Sequence, residues 1–595
     1  MPPRIFSFGN VDDAWDKCDI IVEGRVESGG QEHIYLETQG SVAIPEEGGK
    51  IKLISATQSP TTVQRTAARI LGVEMNNIEV DVLRLGGAFG GKEDQATHWA
   101  VMAALAAHKL NKPVKLVLNR MDDIRMTGKR HPYSSDYKIG LTSDGKILAF
   151  EATYFQNAGA FADLSPAILD RTLFHATNSY YIPNVRTTGI SCKTNLPPNT
   201  AFRGFGGPQG KFVIEAAIYK AAEKMGIDAS EIQRKNLLKD GNTFYYGQPV
   251  ENSHAEKCWT KAEEKYDVKK VKQDVENFNR ENYQFKKGVA LMPICFGISF
   301  TNTFLNQASA LVHVYTDGSI GVSTAAVEMG QGVNEKIKIV VSRTLSVLQD
   351  RIRIETTNTT RVANTSATAA SSGADLNGNA AILACKNILD RLLKVAAEEL
   401  KVSDTSELEI RNEVIYNQEI KTNLIWDELI KLAYKKRISL SSHASYATPN
   451  INFDREKNTG SPFAYHVYGT GITTVTVDCL RGIYTIDSVK VVHDFGKSLN
   501  PVIDIGQVEG GIAQGIGWLT VEEVSHSDEG KLLSNSLSTY KIPDIYSVPK
   551  EVEVSFLEDS ENLYGPFNSK AIGEPPLMYG IGAYFAILNA MRAFR

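Results

Sequence analysis

The sequence GGAFGGKE at positions 86–93 sets four glycines between a run of β character at 80–85 and a helical run that opens at Lys92. The same order returns downstream, with a β run at 321–327, the turn Met329-Gly330-Gln331-Gly332 and a helical run at 333–348. A strand that feeds a helix through so tight a turn presents helix N–H groups beside glycines that admit close backbone approach, an arrangement suited to an anionic ligand. A plain connection that needs glycine dihedrals is the other reading of either turn taken singly. The first turn lacks G-x-G-x-x-G spacing, which argues against a dinucleotide-binding Rossmann unit.

Three further segments read as hairpins: 137–157 about Ser143-Asp144-Gly145, 309–324 about Thr316-Asp317-Gly318, and 473–493 about Leu480-Arg481-Gly482. Each joins two β-rich runs across a short turn that contains glycine. Ala96, Trp99, Ala100, Ala103, Ala107 and Leu110 recur at helical spacing over 94–110, and the other face is also mostly apolar, so this helix is expected to be buried. The stretch 259–288 is dense in charge and reads as a surface helix or linker. The expected division is a first domain over 1–258, the charged linker or helix over 259–288, and a second domain over 289–595.

The length of 595 residues admits two to four domains, and 42% hydrophobic with 22% charged residues describes a folded chain rather than a disordered one. Sixty-four Lys and Arg against 69 Asp and Glu give a net charge of −5, so there is no overall electrostatic footprint for nucleic acid. The six cysteines (18, 192, 258, 295, 385, 479) include no C-x-x-C pair. Neither a disulfide framework nor a zinc or iron–sulfur ligand cluster is encoded, and a reducing compartment fits best. MPPRIFSFGN lacks a basic region followed by an apolar one, and the apolar stretch 577–591 falls short of the roughly 18 residues that a membrane span needs. The expectation is a cytoplasmic protein with no membrane and no nucleic-acid partner.

Three motifs carry candidate chemistry. NTAFRGFGGPQ at 199–209 sets an arginine and two phenylalanines among small residues, which suits a flat ring and an anionic group bound together, or equally an aromatic core corner. SATAASSG at 366–373 puts hydroxyls and small residues ahead of a helix, and could equally be an N-cap series. In Gly573-Glu574-Pro575-Pro576, Pro575 is expected to hold Glu574 extended. A carboxylate fixed in this way is a candidate general base, or a simple helix entry.

Taken in order, residues 30–33, 86–93, 194–209, 296–307, 328–332, 503–509 and 573–576 resemble the molybdenum hydroxylases of the xanthine dehydrogenase and aldehyde oxidase type, and within them the molybdopterin-binding part. The resemblance covers nearly the whole chain. It implies an α+β enzyme of two interlocked mixed α/β domains with the cofactor between them. That cofactor is molybdopterin carrying molybdenum with a sulfido ligand, and no direct protein ligand to the metal is expected. By similarity, Gln58, Phe89, Gly90, Arg203 and Ala370 lie near the metal, with Arg203 packing beside it through its backbone. Gln331 and Gln507 match pterin-binding residues, and Ala369, Ala370 and Ser371 line the other side of the cofactor. Glu574 matches the catalytic base, Phe205 and Phe300 the two rings that hold a heterocycle, and Leu164, Thr301 and Leu305 the pocket wall.

Glu93 and Arg171 match a polar pair found in purine-oxidising members and generally apolar in aldehyde oxidases. A guanidinium stabilises negative charge developing on a purine, and a carboxyl group hydrogen-bonds to ring nitrogen and oxygen. A salt bridge between Arg171 and Asp170 is the plain alternative. The implied reaction converts hypoxanthine to xanthine and xanthine to urate, with oxygen from water. Electrons leave through 2Fe-2S clusters and FAD, expected on partner chains, in a dimer of such complexes. The chain departs from the family pattern at Asn302 and Thr303, which replace an apolar residue and a proline, and at Gly373, where serine is common. The family's large chain has a further stretch before the region matched by 1–10, so the first domain is expected to be shortened. A hydroxylase for another N-heterocycle or an aldehyde, or an inactive truncated chain, are the alternatives.

Overall fold

The computed structural model describes residues 2–594. Strands Tyr133–Leu141 and Ile147–Gly159 pair antiparallel across the expected turn and form the centre of a five-stranded mixed sheet. Val185–Lys193 adds in parallel to Ile147–Gly159, and Arg4–Phe8 and Ile20–Ser28 form the edges. Alternate residues of the central hairpin, among them Ile139, Leu141, Phe150, Ala152 and Tyr154, are buried, as the two-residue period of a strand requires.

The hairpin Tyr465–Asp478 and Ile483–His493 lies between Phe285–Ile298 and Glu551–Phe556 in a four-stranded sheet. Phe6, Tyr154 and Phe212 from the first part of the chain share one apolar core with Ile294, Val491 and Tyr579 from the last part. The two halves therefore interlock in a mixed α/β architecture, because neither buries its sheet face alone.

Two further sheets carry the glycine turns. Ile78–Val82 leads into the helix Gln95–Leu110, and Ile320–Thr324 leads into the helix Val333–Leu345. The short strand Thr357–Asn358 pairs with Ile78–Val82, adding a strand from the second half to a sheet of the first. The Leu85 N–H donates to the Glu328 carbonyl at 2.9 Å, so the two turns lie side by side.

One expectation needs correction. The helix Gln95–Leu110 buries Ala96, Ala100, Ala103 and Ala107, but Met102, Leu105 and Leu110 are 45%, 40% and 64% exposed. Its sheet covers one face only, and the apolar residues of the other face stay in water. Of the two readings of the charged segment, helix or linker, the helix holds: two helices form, Ala255–Lys265 and Val268–Glu281. Cys258, Trp259 and Ala262 are buried in the first, which packs against Tyr465–Asp478, whereas only Val268 is buried in the second.

Candidate active site

A cavity of about 480 Å³ lies where the glycine turns, the 366–374 loop and the 569–574 segment meet. That volume is within the usual range for a small-molecule or cofactor site. Gln58 joins two of the walls. Its Nε2 donates to the Thr368 carbonyl at 3.0 Å, while its Oε1 accepts the N–H groups of Gly90 and Lys92 at 3.0 and 3.3 Å. Gly90 has φ +105°, and a Cβ there would stand 2.7 Å from the Ala201 carbonyl oxygen, so only glycine lets this turn close on the 199–205 segment. The Arg203 N–H completes the contact by donating to the Phe89 carbonyl at 2.8 Å. Phe89, Gly90, Arg203 and Phe205 therefore line one wall together.

The facing wall, 570–574, is irregular chain held by its neighbours. The Lys570 N–H donates to the Phe495 carbonyl and its Nζ to Asp494 at 2.5 Å, and the Ala571 N–H donates to the Tyr465 hydroxyl at 2.9 Å. The Gly573 carbonyl accepts from Arg203 Nε. Glu574 donates its N–H to Ser371 Oγ at 2.8 Å, and its carboxylate accepts from Ser371 Oγ at 2.9 Å and from the Gly204 N–H at 3.3 Å. The backbone of Glu574 is helical (φ −102°, ψ −41°), not extended as its place before Pro575 predicts. The Ser371 bond and the Leu577 N–H to Glu574 carbonyl bond, which opens the 3₁₀ turn Pro575–Gly580, outweigh the pre-proline steric preference.

Glu93 lies on the same cavity. Burial, and then the charges of Asp94, Glu574 and Asp163, push its carboxyl well above the ordinary range, which favours the protonated form that can donate. The Arg203 side chain crosses to the helix Pro501–Leu519, with Nη1 on Gln514 Oε1 at 3.1 Å and Nη2 on the Gln507 carbonyl at 2.8 Å. Arg203 is thus engaged through its side chain as well as its backbone. Burial lowers its pKa to about 10, and the guanidinium stays charged.

Ala369, Ala370, Ser371, Gln331 and Gln507 line the cavity too. Gln331 folds back on its own turn, accepting the Met329 N–H at 2.7 Å and donating to the Val327 carbonyl at 2.9 Å. The helix Val333–Leu345 does not offer a bare N-terminus, because the Glu328 carboxylate accepts the N–H groups of Gly330, Gly332 and Asn334. The helix Gly373–Leu400 does: Ser372 makes no side-chain cap, and Ser371, Gly373 and Ala374 face the cavity. The 366–373 hydroxyls therefore do not cap this helix: Ser366, Thr368 and Ser371 bond to Leu305, Val327 and Glu574 instead.

Arg171 is not on the cavity wall. Its Nη1 and Nη2 donate to the Gly297 and Ser299 carbonyls at 2.7 and 2.5 Å, and its guanidinium lies over the rings of Phe296 and Phe463. Asp170 pairs instead with Arg4 at 3.0 Å and Arg455 at 3.5 Å, so the neighbouring 170–171 salt bridge does not form. Successive helix residues point in different directions. Phe300, Thr301, Leu305 and Leu164 also lie outside the cavity lining. The Phe300 N–H and carbonyl are both bonded to Asn306, the Leu305 carbonyl accepts from Ser366 Oγ, and Leu164 follows Asp163, which binds Thr200 and Gln95.

Several lining residues escape the sequence reading. Lys336 pairs with Asp504 at 2.6 Å, and Asp375 and Lys570 face the cavity. Gly506 and Gly510 had a signal, one helical turn apart: no atom stands within 4 Å of a Cβ at either, which leaves an open lane along the helix. Gly511 and Gly515 on the adjoining face pack instead against 576–580. Among the described residues no group of three or more His, Cys, Asp or Glu is set to hold a metal ion. Glycine lanes, free helix N–H groups and side-chain amides suit a flat anionic organic cofactor that brings its own metal ligands.

Residues 1–237 match one model of a molybdopterin cofactor-binding domain, and residues 261–549 match a second. The chain belongs to the molybdopterin cofactor-binding domain family. The solved quinoline 2-oxidoreductase of Pseudomonas putida has the same fold as this molybdopterin-binding chain (TM-score 0.89, 22% identity, 99% of this chain and 76% of that one). So has the aldehyde oxidoreductase of Desulfovibrio desulfuricans (TM-score 0.87, 23% identity, 99% and 61%). Among curated relatives, the mouse xanthine dehydrogenase/oxidase is 44% identical over 99% of this chain, and the Dictyostelium discoideum xanthine dehydrogenase is 40% identical over 99%. The chain spans 42% of the length of each.

Proposed function

We propose that this molybdopterin-binding chain forms the cofactor part of an oxidoreductase that hydroxylates purines, hypoxanthine to xanthine and xanthine to urate. The observation that carries the reading is a pair of carboxyl groups on one cavity, Glu574 held as an acceptor by Ser371 and Gly204, and Glu93 with its carboxyl pushed well above the ordinary range by burial and its acidic neighbours. When bound, molybdopterin supplies a metal centre for two-electron oxidation with oxygen drawn from water. The free N–H groups at the start of Gly373–Leu400, the open lane of Gly506 and Gly510, and Gln507 are the groups that would hold the cofactor.

Glu574 takes up a proton at its carboxylate as the oxygen nucleophile forms. Glu93 donates to a ring nitrogen or carbonyl oxygen of the heterocycle, and a buried donor of this kind selects against ligands that offer no acceptor. Phe205 gives the ring an aromatic face, while Arg171, through the Gly297 and Ser299 carbonyls, holds the strand end that leads to Phe300 and Thr301. The similarity to xanthine dehydrogenases supports a purine as substrate. Electrons pass to iron–sulfur and FAD groups outside this chain, in a dimer of such complexes. Six free cysteines fit a cytoplasmic location. Among the described residues no helix is long and apolar enough to cross a membrane.

A second reading, another N-heterocycle or an aldehyde as substrate, is favoured by the commitment of Arg171 to backbone carbonyls and by Asn302 and Thr303 at the start of the 3₁₀ turn Thr303–Leu305. The test is kcat/KM for xanthine, hypoxanthine, quinoline and benzaldehyde on the complete molybdenum-loaded enzyme, with isotopically labelled water. Preference for xanthine and label in urate support the purine reading. Preference for the aldehyde moves the assignment to the second, and a protein that takes up no molybdenum under any condition is inactive.

A further inference from the structure

The Glu574 segment is gripped from the start of the helix Gly373–Leu400 at two points. One is Ser371. The other is a chain of hydrogen bonds in which the Ala571 N–H donates to the Tyr465 hydroxyl at 2.9 Å and the hydroxyl donates to Asp375 Oδ2 at 2.6 Å. The direction of this chain is fixed, because an amide N–H only donates, so the hydroxyl proton is left for the carboxylate. Burial, and then the adjacent Asp375, push the Tyr465 phenol well above its ordinary value, which keeps it a donor. Asp375 faces the cavity, and among the described residues no protein donor reaches its Oδ1. Burial pushes its carboxyl up to about 7, against the helix dipole of the first turn, which favours a negative charge; charged or neutral, a carboxyl oxygen accepts the Tyr465 proton.

Residues 571–573 belong to no strand or helix, so the peptide that leads into Glu574 has few other supports. We infer that Tyr465, braced by Asp375, is a positioning residue for Glu574, setting the path of 571–574 independently of Ser371. This rests on the role proposed for Glu574, but not on the identity of the substrate. Neither Tyr465 nor Ala571 touches the reacting atoms in this account; the effect passes through the backbone. A misplacement of about 1 Å at a reacting group costs on the order of a hundredfold in rate.

The experiment is Tyr465→Phe in the complete enzyme, read in two ways. Exchange of the Ala571 amide with deuterium, measured on the protein with or without cofactor, should accelerate about tenfold or more, because its acceptor is gone. With whichever substrate the wild type turns over fastest, kcat should fall roughly tenfold to a hundredfold while KM and molybdenum content stay within about threefold. Asp375→Asn keeps an oxygen for the hydroxyl but weakens the bond, and should move both readings the same way by a smaller amount, which guards against a Tyr465→Phe protein that fails to fold. Unchanged exchange at Ala571 in either variant overturns the inference. So does faster exchange with kcat unaltered, or a loss of activity that merely follows a loss of molybdenum. If the exchange changes but Glu574→Gln proves fully active, the role given to Glu574 has failed rather than the brace.

Discussion

Ser371 and Glu574 are bound twice through a single hydroxyl: Ser371 Oγ accepts the Glu574 N–H at 2.8 Å and donates to Glu574 Oε2 at 2.9 Å. One side chain therefore fixes both the backbone and the carboxylate of the candidate base. Ser371 holds this place with φ +58°, next to Ala370 at φ +53°, so two residues in the left-handed region turn the loop toward 573–574.

Glu574→Gln should abolish turnover in protein that still holds molybdenum. The amide keeps the shape and the Ser371 contact but takes up no proton, and removal of a general base costs about 10² to 10⁴ in rate. Steady-state kcat set beside metal content decides it. A metal-replete variant with near-normal kcat removes Glu574 from the chemistry.

Ser371→Gly separates positioning from stability. Glycine is at ease at φ +58°, which offsets part of the lost hydrogen bonding, so the melting temperature should change by only a few degrees. The kcat should still fall about tenfold or more, since the carboxylate has lost its hydroxyl partner. A large drop in melting temperature with kcat intact would assign Ser371 to the fold alone.

Glu93→Gln should stabilise the protein at high pH and not at low pH. The folded protein holds the Glu93 proton to a higher pH than the unfolded chain does, so in wild type stability is greatest below the ordinary carboxyl value of 4.5 and declines as pH rises toward the elevated folded value. The neutral amide escapes that decline. Melting temperatures of both proteins at pH 5 and pH 8.5 should differ more at the higher pH; an equal difference at both contradicts a raised Glu93 carboxyl.

Arg171→Met should act on stability and substrate choice together. It leaves two buried carbonyls, Gly297 and Ser299, without donors, at about 1 to 3 kcal/mol for each unsatisfied group. If the purine reading holds, kcat/KM for xanthine should drop further than for benzaldehyde, because only the purine develops charge that a nearby cation stabilises. Equal losses for both substrates would make Arg171 a support for 297–301 and nothing more.

The hairpins at 137–157, 309–324 and 473–493 and the two strand–turn–helix segments were legible in the sequence, whereas the lane of Gly506 and Gly510, one helical turn apart, was missed. Each legible element is set by neighbours within a few positions, through side-chain period, turn dihedrals and helix spacing. Glu93 and Gln58 were legible only through family resemblance, because a carboxylate or an amide in a loop has no local periodicity to mark it; Glu574 and the segment of Ser371 stood out locally, but only the resemblance joined them in one site. The tertiary structure alone decided how they are held. Glu574 takes a helical backbone against its proline because Ser371, 203 positions away, binds it. Glu328 fills a helix end that looked open to a ligand, Arg171 turns from Asp170 to the Gly297 and Ser299 carbonyls 126 and 128 residues away, and Tyr465 braces Ala571 from 106 residues away. Local sequence determines which elements form, whereas hydrogen bonds between distant segments depend on how those elements pack, and here those bonds set the site.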